Sequence, residues 1–378
     1  MEYSHDTAIL IPSYQPDDKL APYVSALSEA GFCRIVVVDD GGGEAFAPIF
    51  GEVALIPGVT VLTHAVNRGK GAALRTGFAW LEQCCPEAAY VITADSDGQH
   101  TVADTLAMAR RLHEKPDGGL LLGMRDFGVG QVPLRSRFGN RCTTVVFFLL
   151  YGRWIKDTQT GLRGLPRALL PRMQAIRGDR YEYEMNMLID AATAKIPITS
   201  ITIETVYENN NECSHFRPLQ DSMRIYRVIF SGFVRYIGAS LTCFVVDFAL
   251  FQLFNYLLER FAPSLDASLD LWVFTVIARV FLATVLARIV SGILNFFINK
   301  KFVFGSDGSV RRTFPKYLCV FFLNMILSGV VTSNLHVWLA IDELWAKMIG
   351  DTLLFLLGYY LQRKWVFAKP TAKAPSVQ

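Results

Sequence analysis

Two acids two residues apart open the segment Asp95-Ser96-Asp97-Gly98-Gln99-His100, which follows directly on an apolar run at residues 89–94. At the end of a buried strand, residues i and i+2 share a face, so both carboxylates point into one crevice. No Lys or Arg adjoins them in sequence. Hard divalent cations such as Mg²⁺ favour oxygen-only surroundings and are held by one or two carboxylates together with substrate phosphates. The segment therefore points to a metal-assisted reaction on a diphosphate. The competing reading is a plain acidic turn; the position behind a strand and the company of Gln99 and His100 weigh against it.

The elements that would position these acids alternate. Short Val- and Ile-rich runs at 7–11, 34–38, 59–62, 89–94 and 120–122 read as strands. Helical spacing of apolar residues covers 20–30, 71–82 and 102–112. Strand–helix alternation predicts a mostly parallel sheet covered on both faces, and ligands of such sheets lie beyond the carboxyl ends of the strands. The chemically loaded residues fall at those ends: Pro12-Ser13-Tyr14, Asp39-Asp40-Gly41-Gly42-Gly43, and the Asp95 segment. Asp39 or Asp40 suits a nucleobase or ribose, or else a glycine turn with solvated acids. Asn67-Arg68-Gly69-Lys70-Gly71 precedes a helix, where amides and cations face phosphates, unless it is only a helix start. It is not a Walker A loop, lacking the first glycine and the Ser/Thr after the lysine.

Composition divides the 378 residues unevenly. The chain is 52% hydrophobic with positive mean hydropathy. Up to about residue 225 it reads as soluble α/β, and long apolar stretches follow. A net charge of +3 is too small to imply a nucleic-acid surface. Seven cysteines (33, 84, 85, 142, 213, 243, 319) form no CxxC pair and no zinc spacing, which predicts reduced thiols rather than a disulfide framework. The first residues lack a basic stretch followed by an apolar one, so no removed signal is expected and the first domain is placed in the cytoplasm.

Five motifs in order carry a resemblance: Ile11-Pro12-Ser13-Tyr14, Val37-Val38-Asp39-Asp40-Gly41, Asn67-Arg68-Gly69-Lys70-Gly71, Asp95-Ser96-Asp97-Gly98-Gln99-His100, and Asp157-Thr158-Gln159-Thr160-Gly161-Leu162-Arg163. Together, over about residues 5–225, they resemble family 2 glycosyltransferases with a GT-A (Rossmann-like α/β) fold, specifically dolichyl- or polyprenyl-phosphate sugar synthases. The resemblance implies that Pro12, Tyr14, Val38 and Asp40, with Asp95 and Ser96, hold the nucleotide. It implies that Asp95, Asp97 and Gln99 hold Mg²⁺ or Mn²⁺ on the diphosphate, and that Arg125 touches the transferred sugar's phosphate. Asp97, Asp157 and Arg125 are then the catalytic candidates. Asp157 orients acceptor or sugar, or serves a turn at Asp157-Thr158. Close relatives often carry a Glu where this chain has Pro16. They also carry a Lys after a serine near the domain's end, where this chain has Ser214-His215 with Arg217 nearby. Donor identity, UDP- or GDP-linked, stays open.

A lipid monophosphate is already anionic near pH 7, so its attack on a sugar needs little base catalysis. Positioning and electrostatic stabilisation carry such a reaction. Arg135, Arg137 and Arg141, joined by His215 and Arg217, are the candidates for the acceptor phosphate. The three arginines lead into the apolar run 143–151, which suits a helix lying at the bilayer surface, or an ordinary core helix with a solvated basic end. Residues 181–187 read as a helix start in which Glu182 or Glu184 faces the sugar.

Residues 233–258, 271–297, 317–340 and 345–365 read as four membrane helices, so a domain at 226–368 follows the catalytic one at 1–225 and precedes a basic tail at 369–378. Residues 259–270 carry one basic and three acidic residues, and 299–316 carry five basic and one acidic. Residues 342–347 carry one and two, and 363–378 four and none. Positive segments belong inside, which predicts a multi-pass protein of the cell (inner) membrane with catalytic domain and C-terminus cytoplasmic. Residues 295–304 echo 358–367, so the second and fourth helices end alike. This stretch, about 232–368, resembles the GtrA-like family. Asp247 and Arg288 lie at similar depth and are expected to pair; Arg279 pairs with Asp351 or snorkels outward. Buried charge in a small bundle also favours a homo-oligomer.

The activity expected is metal-dependent, inverting transfer of a sugar from a nucleotide sugar to a polyprenyl phosphate, for cell-envelope glycan or glycoprotein synthesis. The alternatives are a processive polysaccharide synthase, whose Gln-x-x-Arg-Trp motif is missing from the end of the catalytic domain, and a non-catalytic lipid-sugar transporter or scaffold.

Overall fold

The computed structural model describes residues 3–125, 134–204, 218–266, 268–271, 274–339 and 342–368. They fall into two compact units, residues 1–229 and 230–370.

In the first unit seven strands form one sheet: β1 (Thr7–Ser13), β2 (Ile35–Asp39), β3 (Val59–Thr63), β4 (Tyr90–Thr93), β5 (Leu120–Arg125), β6 (Arg163–Pro166) and β7 (Ile198–Ile203). Their order is β3-β2-β1-β4-β6-β5-β7. Only β6 runs antiparallel, with Thr93 opposite Arg163 and Leu122 opposite Arg163. The helices are α1 (Leu20–Glu29), α2 (Ala47–Ala54), α3 (Lys70–Cys84), α4 (Val102–Glu114), α5 (Leu134–Tyr151), α6 (Leu170–Gln174) and α7 (Glu182–Ala194). All five expected strands are present, as are the helices expected at 20–30, 71–82, 102–112, 143–151 and from 181–187; β6, β7, α2 and α6 are additional.

Both sheet faces are covered, which is why the strands read as apolar runs without alternation. Ile9, Ile11, Val37 and Ile92 pack with Leu20, Val24 and Leu27 of α1 and Met108 and Leu112 of α4. On the other face Gly77 lets α3 settle on Leu10, whose Cδ1 would lie 2.1 Å from a Cβ at that position. Helix α4 starts where its cap dictates: Thr101 Oγ1 accepts the amide of Asp104 at 3.0 Å and donates to the Asp104 carboxylate at 2.8 Å.

The second unit contains most of α8 (Pro218–Phe261), a hairpin of β8 (Ser268–Leu271) and β9 (Phe274–Ile277), then α9 (Ala278–Ile298), α10 (Val310–Leu339) and α11 (Glu343–Leu361). Two spans among the described residues, Gln220–Phe261 and Ala278–Val303, are long and apolar enough to cross a membrane. Three boundaries correct the sequence reading. Helix α8 begins at Pro218, not 233, so the expected domain limit at 225/226 falls inside it. The second helix begins at Ala278 rather than 271, because Phe274-Thr275-Val276-Ile277, β-branched and aromatic, pairs as a strand. The fourth runs from Glu343 to Leu361 and ends in a π-helical turn, Gln362–Val366.

The sequence echo has a structural counterpart. Helix α9 also passes into a π-helical turn, Asn299–Val303. The equivalent residues meet: Phe304 stacks on Phe367 at 5.2 Å, and Asn299 Nδ2 donates to Gln362 Oε1 at 3.1 Å. Asp247 and Arg288 pair as expected, Oδ2 to Nε at 3.5 Å. The expected pairing of Arg279 with Asp351 is not formed. Arg279 reaches Glu259 at 3.0 Å and Asp266 at 2.6 Å, acids within or just after the preceding helix. Asp351 takes Lys347, one turn away, at 3.0 Å.

Candidate active site

Every element carrying a loaded segment ends on one edge of the sheet. Ser13 closes β1 opposite Asp39 at the end of β2. Asp95 and Asp97 follow β4, Arg125 closes β5, and Arg163 opens the reversed β6.

Asp40 is spent on its own scaffold. Its Oδ1 accepts His64 Nδ1 at 2.7 Å and the Arg68 amide at 3.0 Å, and its Oδ2 accepts the Gly69 amide at 2.6 Å. His64 Nε2 lies 2.9 Å from Thr76 Oγ1. A buried acid thus braces the 64–69 loop and aims the start of α3. Asp39 gives one oxygen to the Gly42 amide at 2.7 Å. The Val38 side chain is wholly buried in β2, and Pro12 is buried opposite it. Tyr14 and Ser96 are partly exposed.

Asp95, Asp97 and Glu184 gather behind β4 with Lys70 and His100. Lys70, the first residue of α3, places Nζ 2.6 Å from Asp95 Oδ1 and 3.0 Å from Glu184 Oε1. Glu184 is therefore the acid of α7 that joins the site, while Glu182 accepts the Asp179 and Arg180 amides. Burial alone would push the Asp95 carboxyl up, but the Lys70 ammonium and His100 outweigh it and hold it well below the usual range. Asp97 is different. Burial, then the charge of Asp95, push its carboxyl up, and it has no cation within ion-pair distance among the described residues. Its Oδ1 accepts only the Gln99 amide, at 3.2 Å, among the hydrogen bonds described.

The strap after α5 supplies the rest. Asn140 of α5 donates to the Lys156 carbonyl at 2.5 Å and accepts the Thr158 amide at 3.0 Å, which aims Asp157 at β5. There Arg125 Nε and Nη2 donate to the two Asp157 oxygens at 2.7 and 3.0 Å. Two residues assigned separate roles from sequence are one buried, two-pronged pair. Asp157 Oδ1 also accepts the Gln159 amide at 3.1 Å, the hydrogen bond of a local turn. Thr93 Oγ1 donates to the Gly161 carbonyl at 2.9 Å, pressing Gly161 against Asp95. Arg163, 1% exposed, grips the Thr160 and Glu184 carbonyls at 2.9 and 2.6 Å, tying strap to α7.

Helix α5 buries a largely polar side and exposes aromatic and aliphatic side chains on another. Asn140, Thr143, Thr144 and Phe147 face inward, yet Phe138, Phe148 and Leu149 are exposed beside Arg137 and Arg141. Trp154 is exposed too and sits edge-on to Phe148 at 5.5 Å. The Arg135 side chain, His215 and Arg217 lie outside the described residues.

Comparison with known sequences decides the family. The profile of Glycosyl transferase family 2 matches residues 8–171, and that of the GtrA/DPMS transmembrane domain matches 264–367. The chain carries a family 2 glycosyltransferase domain followed by a GtrA/DPMS transmembrane domain. An uncharacterized protein of Methanocaldococcus jannaschii is 29% identical to this glycosyltransferase over 202 residues, 53% of this chain and 81% of that one. The UDP-N-acetylglucosamine–dolichyl-phosphate N-acetylglucosaminyltransferase of Methanococcus voltae is 26% identical over 53% and 85%. Human dolichyl-phosphate beta-glucosyltransferase is 24% identical over 52% and 66%. Among solved structures, glucosyl-3-phosphoglycerate synthase from Mycobacterium tuberculosis, in complex with Mn²⁺, UDP and glucosyl-3-phosphoglycerate, gives a TM-score of 0.46 at 16% identity, over 60% of the transferase and 78% of that chain.

The donor set of the transferase fits a divalent ion shared with a substrate. Among the described residues no three His, Cys, Asp or Glu side chains form a self-sufficient cage, whereas one unpaired carboxylate beside a paired one is the partial shell Mg²⁺ or Mn²⁺ completes with phosphates. Sequence reasoning placed Lys70 and Arg163 within motifs but did not show their contacts with Asp95 and Glu184, and His64 stood outside every motif.

Proposed function

We propose that this glycosyltransferase moves a sugar from a UDP- or GDP-linked donor to a polyprenyl (undecaprenyl- or dolichyl-type) phosphate, at the cytoplasmic face of the cell membrane. The observation that carries the reading is Asp97: a carboxylate raised by burial and by Asp95, with no cation of its own, at the rim where a nucleotide diphosphate belongs. The relatives named for dolichyl-phosphate acceptors and the matched membrane domain support the acceptor class.

Asp95, Asp97 and Gln99 would hold Mg²⁺ or Mn²⁺, which when bound supplies charge neutralisation for the leaving diphosphate. Tyr14, Pro12 and the Val38 backbone line the nucleotide's place with Ser96, and Asp39, not the fully engaged Asp40, is the acid available to base or ribose. Lys70 fixes Asp95 and Glu184. Arg125, set by Asp157, faces the sugar phosphate, and no residue needs to act as nucleophile. Arg137 and Arg141, with Arg135, His215 and Arg217, receive the lipid phosphate while the exposed rings of α5 enter the acyl layer. The charge asymmetry of the flanking segments supports four spans, α8–α11, with both ends inside.

The test is incubation of the full-length protein in detergent with labelled UDP- and GDP-sugars and short polyprenyl phosphates. One lipid-extractable product per donor, lost with EDTA or in Asp97→Asn, is expected. Undiminished turnover after chelation overturns the metal reading. Long polymer overturns the acceptor assignment in favour of a processive synthase.

A further inference from the structure

Arg288 stands at the midpoint of α9, Ala278–Ile298, about 15 Å from either end at 1.5 Å per residue. An arginine so placed cannot snorkel to either surface. Yet its side chain is 63% exposed within the single chain. Asp247 satisfies it only in part: one Oδ lies 3.5 Å from Nε, and the other accepts the Ser291 hydroxyl at 2.8 Å. Neither Nη makes a hydrogen bond among the described residues. In hydrocarbon such a group must find a partner, and mid-span lipid offers only acyl chains.

The surrounding face is shaped for close approach. Thr284 and Gly292 lie one turn to each side of Arg288. The Thr284 hydroxyl is already satisfied by the Val280 carbonyl at 2.7 Å, and a Cβ built on Gly292 meets no atom within 4 Å. Small residues flanking a polar one mark helix–helix contacts in membranes.

What covers the face follows from depth and charge. Copies of one chain insert the same way up, so a two-fold axis along the membrane normal keeps every residue at its own depth. Under that rotation a carboxylate beside a guanidinium is self-complementary. We propose that the transferase dimerises in the bilayer through this face, Arg288 of each copy reaching Asp247 of the other. The inference needs only that α8 and α9 cross the membrane and is independent of the reaction proposed above.

The test uses the full chain with its native cysteines replaced, in membranes. Thr284→Cys and Gly292→Cys should each cross-link to a dimer under oxidation, while Val290→Cys, exposed on the other side of α9, should not. In nanodiscs of fixed lipid composition, Arg288→Leu should weaken the dimer about tenfold, as loss of an interhelical polar contact does. The charge-swapped double variant Asp247→Arg/Arg288→Asp should restore it. Cross-linking at 290 but not at 284 or 292, a monomer at every protein-to-lipid ratio, an undiminished dimer in Arg288→Leu, or capture of a different protein at 284 and 292 would each overturn the proposal.

Discussion

Gly161 and Asp95 touch: a Cβ built on the glycine would stand 2.2 Å from the Oδ2 of the acid and 2.6 Å from its Cγ. The carboxylate cannot swing away cheaply, because Lys70 holds its Oδ1. Gly161→Ala is therefore expected to turn Asp95 off its axis while leaving the sheet intact. Residues that orient a metal ligand typically change metal affinity about 10–100-fold. Titration of turnover with Mn²⁺ should show a rise of that order in the half-saturating concentration, with the thermal midpoint little changed. An unchanged Mn²⁺ curve would mean that Asp95 is not a ligand.

The pair of Arg125 and Asp157 makes a second prediction. The Asp157 side chain is fully buried and that of Arg125 nearly so. Removing one partner of a buried ion pair costs about 3–5 kcal/mol, because the other charge is left behind. Asp157→Ala should lower the unfolding midpoint of the full-length protein in detergent markedly. Arg125→Lys, which keeps the charge but loses the two-pronged geometry, should be milder in stability and still poor in turnover.

The sequence carried the strand ends and their acids because buried parallel strands write themselves as Val/Ile runs, and a motif behind such a run has only one place to go. Five strands and the Asp95 rim were legible on that ground. What escaped depends on contacts distant in sequence. Lys70 and Glu184 are 114 positions apart, and nothing local to either announces the other. Arg163 closes a quoted motif, but nothing local shows that the reversed strand buries it between β4 and β5. The bracing role of Asp40 was not legible for a related reason: its partners His64 and Gly69 come from the next loop. In the membrane unit apolar length was legible, but hydropathy cannot distinguish Phe274–Ile277 as strand from the helix that follows.

Asp97 gives a pH dependence. Its carboxyl is raised, so it keeps its proton to higher pH than an ordinary Asp, and a bound cation needs it ionised. The Mg²⁺ or Mn²⁺ requirement should therefore grow as pH falls, beginning above the usual carboxylate range. Without metal the two rim acids pull stability in opposite directions. Asp95, held low, contributes stability above its unfolded pKa that is lost as pH falls. Asp97, held high, contributes stability at low pH that is lost as pH rises through its folded pKa. Isothermal titration with Mn²⁺ across pH should show the trend in the wild type; Asp97→Asn should bind weakly with a flattened profile.

The outer face of α5 predicts a split between lipid and donor. If Phe148, Leu149 and Trp154 enter the acyl layer, replacing any of them by Ser removes burial of about 1.5–3 kcal/mol. Phe148→Ser and Trp154→Ser should raise the KM for a long-chain polyprenyl phosphate in vesicles about tenfold or more. The KM for the nucleotide sugar, and turnover of a short water-soluble acceptor, should stay within twofold of wild type by the same reasoning, since no apolar burial changes there. Equal losses with both acceptors would return α5 to an ordinary structural role.

The contact between Asn299 and Gln362 joins the two halves of the internal repeat and gives the last prediction. Asn299 is fully buried beside Phe296 and Phe304, and its amide also reaches Asn295 Oδ1 at 2.5 Å. Gln362 in turn donates to the Tyr236 hydroxyl at 3.2 Å, extending the network to α8. Truncating one member leaves buried polar atoms stranded, at about 1–3 kcal/mol each, whereas replacing both by apolar groups of similar shape is far cheaper. Asn299→Leu and Gln362→Leu should each destabilise the unit in an SDS unfolding titration. The double variant should be less destabilised than the two single effects added together, with a coupling of about 1 kcal/mol. Because the residues occupy equivalent places in the repeat, the two single losses should be similar. A large loss at one position and none at the other would show that the network, not the repeat, dictates the packing.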